Sequence, residues 1–167
     1  HYILFGGGSG ITPLFSIVKT ALHGSIEAKI SLFYANYNSE SVIFKKELQQ
    51  LVKEFAGRFT LIHVFDQPAK SGGFLGFGKK VSEELEFVEG MMTSKMCIDL
   101  LKAHTDLNFK NAQFYMCGPG GLMDNVSGAL AKLQIPSDKI HREYFTEKSE
   151  SEKQEASVGT PDANFNG

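Results

Sequence analysis

The chain has 167 residues, 42% of them hydrophobic, and a formal net charge of -2. That length is enough for one domain with a substantial core. No apolar run is long enough to span a bilayer, and the near-balanced charge lacks the clustered Lys and Arg that nucleic acid calls for, so neither a membrane nor nucleic acid is expected as a partner. The two cysteines, Cys97 and Cys117, show no C-x-x-C spacing and follow no signal peptide, which excludes a disulfide framework and predicts a reducing, cytoplasmic setting.

Short apolar runs alternate with segments of helical period. A strand is expected over residues 2–5, a helix over 13–22, a strand over 29–34, a helix over 41–55 and a strand over 59–65. In the second helix Leu48, Leu51, Val52 and Phe55 fall on one stripe, and Val42 and Ile43 extend it toward the start, so the charged residues between them need only be solvated. Residues 66–92 read as a surface loop. Within it, Gly73 to Lys80 nearly spells a phosphate-binding Walker A loop, but Lys80 stands where a hydroxyl would hold magnesium. Phe74 and Phe77 in the same stretch are candidates for touching a partner domain. A helix over 94–103, a strand over 112–116, a helix over 121–133 and a strand over 139–144 complete the alternation. The expected fold is α/β: a three-layer, open, parallel five-stranded sheet in the order 3-2-1-4-5, with helices on both faces and ligands at the carboxyl ends of the strands. Residues 146–167 are rich in Ser, Glu, Lys, Gln, Ala and Asn and read as a linker or disordered tail.

The chemistry concentrates where strands meet helices. Tyr2-Ile3-Leu4-Phe5 runs into Gly6-Gly7-Gly8-Ser9-Gly10-Ile11-Thr12-Pro13. Glycines let the backbone approach a charged ligand, and the following helix offers unpaired N–H groups and the positive end of its dipole, so this turn reads as a phosphate cradle. Pro13 is expected at the first helical position, where its missing N–H costs nothing. The pattern departs from the usual dinucleotide fingerprint. Pro13 replaces its third glycine, and the second strand ends Tyr34-Ala35-Asn36-Tyr37-Asn38 with no acid for a ribose. A second glycine turn, Cys117-Gly118-Pro119-Gly120-Gly121-Leu122-Met123, follows the last-but-one strand, and the last strand closes on Glu143-Tyr144-Phe145. The five histidines, at 1, 23, 63, 104 and 141, show no metal-ligand spacing, and no metal is assigned.

Taken together, the turn at 8–13, Tyr34-Ala35-Asn36 with the segment 41–48, Met116-Cys117-Gly118-Pro119 with Met123, and Glu143-Tyr144-Phe145 resemble the nucleotide-binding half of the ferredoxin–NADP reductase family of flavoenzymes, over residues 1–145. The resemblance is nearest to reductase components of bacterial oxygenases of the phenylacetyl-CoA type. It implies an FAD-binding barrel before this domain and a two-iron (2Fe-2S) ferredoxin domain after it, reached through the 146–167 segment. It also implies hydride transfer from NAD(P)H to FAD, then electrons to the iron–sulfur centre, with an oxygenase component as a further partner. On this view residues 1–167 bind the dinucleotide but do not turn over alone. By the same resemblance, the backbone of Gly8, Ser9 and Gly10 with the Thr12 hydroxyl and Pro13 holds the pyrophosphate, and Asn36 belongs to the cofactor site. Gly118, Pro119 and Gly120 line the nicotinamide ribose, and Leu122 and Met123 lie nearer the adenosine. Cys117 lies close to nicotinamide C4, while Glu143 and Phe145 act beside the flavin. Residues read alone allow plainer roles: a buried Cys117, a solvated Glu143 and a core Phe145.

The choice of dinucleotide turns on Asp66. NADPH-using relatives carry a Ser-Arg pair after the third strand, where this chain has Phe65-Asp66-Gln67-Pro68. A carboxylate there repels a 2′-phosphate and accepts from a ribose diol, each effect being worth about 1.5–3 kcal/mol, which predicts NADH over NADPH. Asp66 as a simple turn cap before Pro68 is the alternative. Two other functional readings stay open at this point: a flavin reductase or flavohaemoglobin-type reductase with a different acceptor, and a nucleotide-binding regulatory domain that is not an enzyme.

Overall fold

The structure is a computed structural model that describes residues 1–67 and 85–144. Its elements are β1 (Tyr2–Gly7), α1 (Ile11–Gly24), β2 (Ile30–Asn36), α2 (Lys45–Glu54), β3 (Phe59–Phe65), β4 (Phe87–Glu89), α3 (Ser94–His104), β5 (Gln113–Cys117), α4 (Gly120–Lys132) and β6 (Ile140–Glu143). The strands form one sheet in the order β4-β3-β2-β1-β5-β6, and every neighbouring pair is parallel. The expected strand order is present, with one addition: β4 pairs with the carboxyl half of β3, from His63↔Phe87 to Phe65↔Glu89. Three residues are too few to show a period of two, so this edge strand left no pattern inside the stretch read as a loop.

Because side chains alternate across a strand, the sheet builds a core on each face. Ile3, Phe5, Phe33, Ile62 and Val64 pack against Leu100 and Leu101 of α3 and Val126 and Leu130 of α4. Leu4, Leu32, Tyr34 and Leu61 pack against Leu14 and Val18 of α1 and Leu48 and Leu51 of α2. The central strands are therefore apolar almost throughout, as parallel strands covered on both sides must be. Each fully buried Leu, Ile or Phe stabilises the fold by about 1.5–3 kcal/mol relative to exposure.

From β3 onward the strands and helices expected from the sequence lie within one residue of their observed ends. Two local features differ. Pro13 is the third residue of α1 rather than the first, since the helix begins at Ile11. A proline there still costs little, because N–H groups throughout the first turn lack an intrahelical partner. The helix expected over 41–55 starts only at Lys45. Asn38 Oδ1 accepts from the Glu40 and Ser41 amides at 3.1 and 3.0 Å and caps a separate 3-10 turn, Ser39–Ser41. Phe44 then adopts a left-handed conformation, φ 56°, with its ring stacked on Phe15 at 4.6 Å. Val42 and Ile43 consequently belong to a connection and not to the helical stripe.

The Walker-like segment at 73–80, with Phe74 and Phe77, lies outside the described residues, as do Phe145 and the 146–167 segment. Among the described residues no helix is long and apolar enough to cross a membrane.

Candidate dinucleotide site

A parallel sheet places all its strand carboxyl ends on one edge. Here α1 and α4 leave the adjacent strands β1 and β5 on opposite faces, which opens a crevice between their turns. The two turns touch. A Cβ at Gly10 would lie 2.2 Å from the Cys117 carbonyl oxygen and 2.7 Å from the Gly118 nitrogen, and one at Gly118 would lie 3.1 Å from the Gly7 nitrogen. Glycine at Gly10 is thus a packing requirement set by the neighbouring turn. Gly8 needs glycine for a different reason, its φ of 51°, although open space surrounds it.

The crevice is a cleft of about 550 Å³ whose walls include Gly7, Gly8, Asn36, Asp66, Pro119 and Leu122. Neither α1 nor α4 has a side-chain cap at its start; in α1 the Ile11 amide donates back to the Gly8 and Ser9 carbonyls and Pro13 has no N–H, so it is chiefly the first turn of α4 whose N–H groups are left for another acceptor. Asn36 adds a further donor. It is only 8% exposed, and among the described residues its Nδ2 meets no acceptor at hydrogen-bonding geometry, although the amide lies near the Tyr34 hydroxyl. A buried, unpaired amide on a cleft wall costs about 1–3 kcal/mol unless a ligand or water accepts from it. Asp66 stands exposed on the same wall, its amide donating to the Asn36 carbonyl at 3.1 Å. One residue on, the Gln67 amide donates to the Tyr37 carbonyl at 2.8 Å, and the Tyr37 hydroxyl donates to Gln67 Oε1. The mouth of β2 and β3 is therefore tied through both backbone and side chains.

Behind the β5 turn lies a second hollow of about 390 Å³, bounded by Thr12, Pro13, Ser16, Cys117, Glu143 and Tyr144. Cys117 is fully buried. Burial, and then the negative charge of Glu143, push its thiol above the ordinary range, so it is a neutral group and a poor nucleophile.

The structure thus divides the residues singled out from the sequence between two adjoining hollows: Gly8, Asn36, Asp66, Pro119 and Leu122 in the first, Thr12, Pro13, Cys117 and Glu143 in the second. Gly10 and Gly118 form the contact between them. Ser9 is exposed within the turn and Gly120 exposed at the start of α4. Two placements differ from expectation. The Thr12 hydroxyl donates to the Ser9 carbonyl at 3.0 Å, bracing the turn from within. Met123 is 2% exposed and belongs to the core beneath α4, because it lies about 100° round the helix from the cleft-lining Leu122. Sequence reasoning missed Tyr37, Ser41, Gly90, Met91 and Asn125, which also line the cleft. Gly90, with φ 130°, follows β4, and that strand gave no signal of its own.

The chain matches the family model described as oxidoreductase NAD-binding domain over residues 4–128. It is 33% identical over 148 residues to the ferredoxin reductase component of 3-ketosteroid-9-alpha-monooxygenase from Rhodococcus rhodochrous, covering 89% of this chain and 35% of that protein. It is 28% identical over 145 residues to one of the subunits of 1,2-phenylacetyl-CoA epoxidase from Escherichia coli K12, covering 87% of this chain and 37% of that protein. The chain therefore spans about a third of the length of these curated relatives. Among solved structures, the Amycolatopsis cytochrome P450 reductase superposes with a TM-score of 0.67 at 19% identity, over 89% of this chain and 38% of that one. The cytochrome b5 reductase domain of Ulva prolifera nitrate reductase gives 0.67 at 18% identity, over 85% and 48%. These likenesses speak to the fold. With the family match covering most of the chain, and two glycine turns meeting at the head of a parallel sheet, this chain belongs to the oxidoreductase NAD-binding domain family, the nucleotide-binding half of ferredoxin–NADP reductase-type enzymes.

Proposed function

We propose that this chain binds NADH as the dinucleotide domain of a flavin-dependent reductase serving an oxygenase system. The observation that carries the reading is the unpaired Asn36 amide, buried on the wall of the cleft between the two glycine turns. Together with the uncapped start of α4 it makes a wall of donors suited to a pyrophosphate. Asp66 on the same wall supplies an acceptor for a ribose diol and repels a 2′-phosphate. The monooxygenase relative is a ferredoxin reductase component, which supports the oxygenase setting. The proposed flavin (FAD) and iron–sulfur partners lie on parts of the protein beyond these residues.

The nicotinamide end of the dinucleotide occupies the hollow between Thr12, Cys117 and Glu143 in this reading. NADH supplies a hydride to the flavin there. The chain's part is to orient the ring: neutral, close-packed Cys117 gives it a wall, and Glu143 holds a carboxylate at the edge where the hydride leaves. Holding a reactant in the productive geometry contributes several kcal/mol without covalent chemistry. Calorimetric titration with NAD and NADP, on the chain and on Asp66→Ser, tests the reading. The expected result is tighter binding of NAD, narrowed in the variant by about ten-fold, the equivalent of one charged hydrogen bond. Binding of NADP alone removes the role given to Asp66, and binding of neither removes the site.

A further inference from the structure

We infer that Tyr34 is a positioning residue for the phosphate turn: its buried hydroxyl holds the Gly8 carbonyl inward and so aims the Ser9 N–H at the dinucleotide. The inference rests on the dinucleotide reading of the cleft. Tyr34 sits on β2 in register with Gly6 of β1, fully buried on the α1–α2 face of the sheet. Its hydroxyl donates to the Gly8 carbonyl oxygen at 2.9 Å and accepts from the Ile43 amide at 3.3 Å. The hydroxyl is thus used as donor and acceptor at once, and burial pushes the phenol up, so it keeps the proton it donates.

The consequence follows from the peptide bond. The C=O of one residue and the N–H of the next point in opposite directions across a planar trans peptide, and the described residues contain no cis peptide. Fixing the Gly8 oxygen toward the interior therefore turns the Ser9 N–H outward, on the exposed side of the turn. Gly8 sits at φ 51° with no side chain of its own, and among the described residues its carbonyl is held by the Ile11 amide of the same turn and, from the neighbouring strand, by the Tyr34 hydroxyl. A glycine peptide left free can rotate and present its carbonyl, an arrangement a phosphate repels. The second bond extends the same brace: through the Ile43 amide, Tyr34 links the phosphate turn to the connection that carries Ser41, another residue of the cleft wall.

The test separates the pyrophosphate from the rest of the ligand. Affinities of the 167-residue chain for ADP and for adenosine are measured by NMR titration, with and without Tyr34→Phe. The expected result is about a ten-fold loss for ADP in the variant, the scale of one charge-assisted hydrogen bond, with adenosine within about two-fold of wild type. A uniform loss for both ligands, or no loss for either, overturns the inference while leaving the dinucleotide site intact. No ADP binding by wild type overturns the site and the inference together. Should the variant fold poorly, the Ser9 amide resonance of the unaltered chain decides: a large shift with ADP and none with adenosine is expected, and an unmoved Ser9 amide refutes the proposed orientation.

Discussion

His63 is a buried base with no hydrogen-bond partner among the described residues, and that gives the chain a calculable acid sensitivity. The residue lies on β3, 1% exposed, between the ring of Phe65, stacked at 5.4 Å, and that of Tyr34 at 5.8 Å. Neither ring nitrogen has a hydrogen-bond partner among the described residues. It borders a cavity of about 200 Å³ beneath α2, which Gln49, Lys53 and Glu86 also line. Burial first, and the positive charge of Lys45 second, lower its pKa from 6.5 to about 4. In the unfolded chain the ring takes up a proton as pH falls through 6.5, while the folded chain resists until about 4. The unfolded state thus binds more protons across that window. Stability is complete above the unfolded pKa and is lost as pH falls toward the folded one. Between about pH 7.5 and 4.5 the loss from this one residue comes to about 2.5 kcal/mol.

His63→Phe removes the titration and keeps an aromatic ring in the stack, with the adjoining cavity to take the small increase in size. Urea unfolding of wild type and variant at pH 7.5, 6.0 and 4.5 is the assay. The variant is expected to be more stable even at pH 7.5, by about 1–3 kcal/mol, since two unpaired buried nitrogens disappear. Its advantage should then widen by about 2.5 kcal/mol at pH 4.5, and taking the difference between the two proteins cancels the carboxylates common to both. Stability curves that stay parallel across the range would refute the argument. They would mean that the ring titrates near its ordinary value when folded, as it would if water in the cavity solvated both nitrogens.

The glycine turns predict two unlike defects. Gly10→Ala drives a methyl into the Cys117 carbonyl, a backbone atom that cannot step aside, so thermal melts should show a fold weakened by several kcal/mol and titration should show no NAD binding. Gly8→Ala meets no atom and bears only the cost of the left-handed backbone, about 1–2 kcal/mol, leaving the chain folded at room temperature. Equal damage from both would contradict the packing described. For the thiols, Cys97 is pushed up to about 12 by burial and Cys117 is raised by burial and Glu143. Iodoacetamide at pH 7.5 should therefore label neither within the time that labels both in urea, and rapid labelling of Cys117 in the folded chain would show it to be an exposed thiolate.

How far the sequence revealed this arrangement depended on whether a residue's role was local. The turn after β1 was legible because glycine clustering is itself the physical requirement, and the parallel sheet covered on both faces followed from the alternation of apolar runs with helical stripes. The start of α2 was not, because two competing facts decide it: Asn38 closes a turn of its own, and Phe44 takes a left-handed conformation while stacked on Phe15, far earlier in the chain. Met123 is expected near the adenosine from the family resemblance alone, but neighbours on a helix face different ways, and the core took it while Leu122 lines the cleft. The same distinction separates Asn36 from Tyr34. Asn36 stands out through the resemblance carried by Tyr34-Ala35-Asn36 at the end of an apolar strand. Tyr34, two residues earlier, reads as one more core aromatic, and the use of its hydroxyl appears only when β2 is laid beside β1 and the Gly8 carbonyl comes within 2.9 Å. A strand that carries a ligand group at its tip can carry, one pleat below and on the same face, the group that holds the opposing turn in shape. In this fold the phosphate turn is therefore built by two strands, and the sequence of the glycine loop describes only one of them.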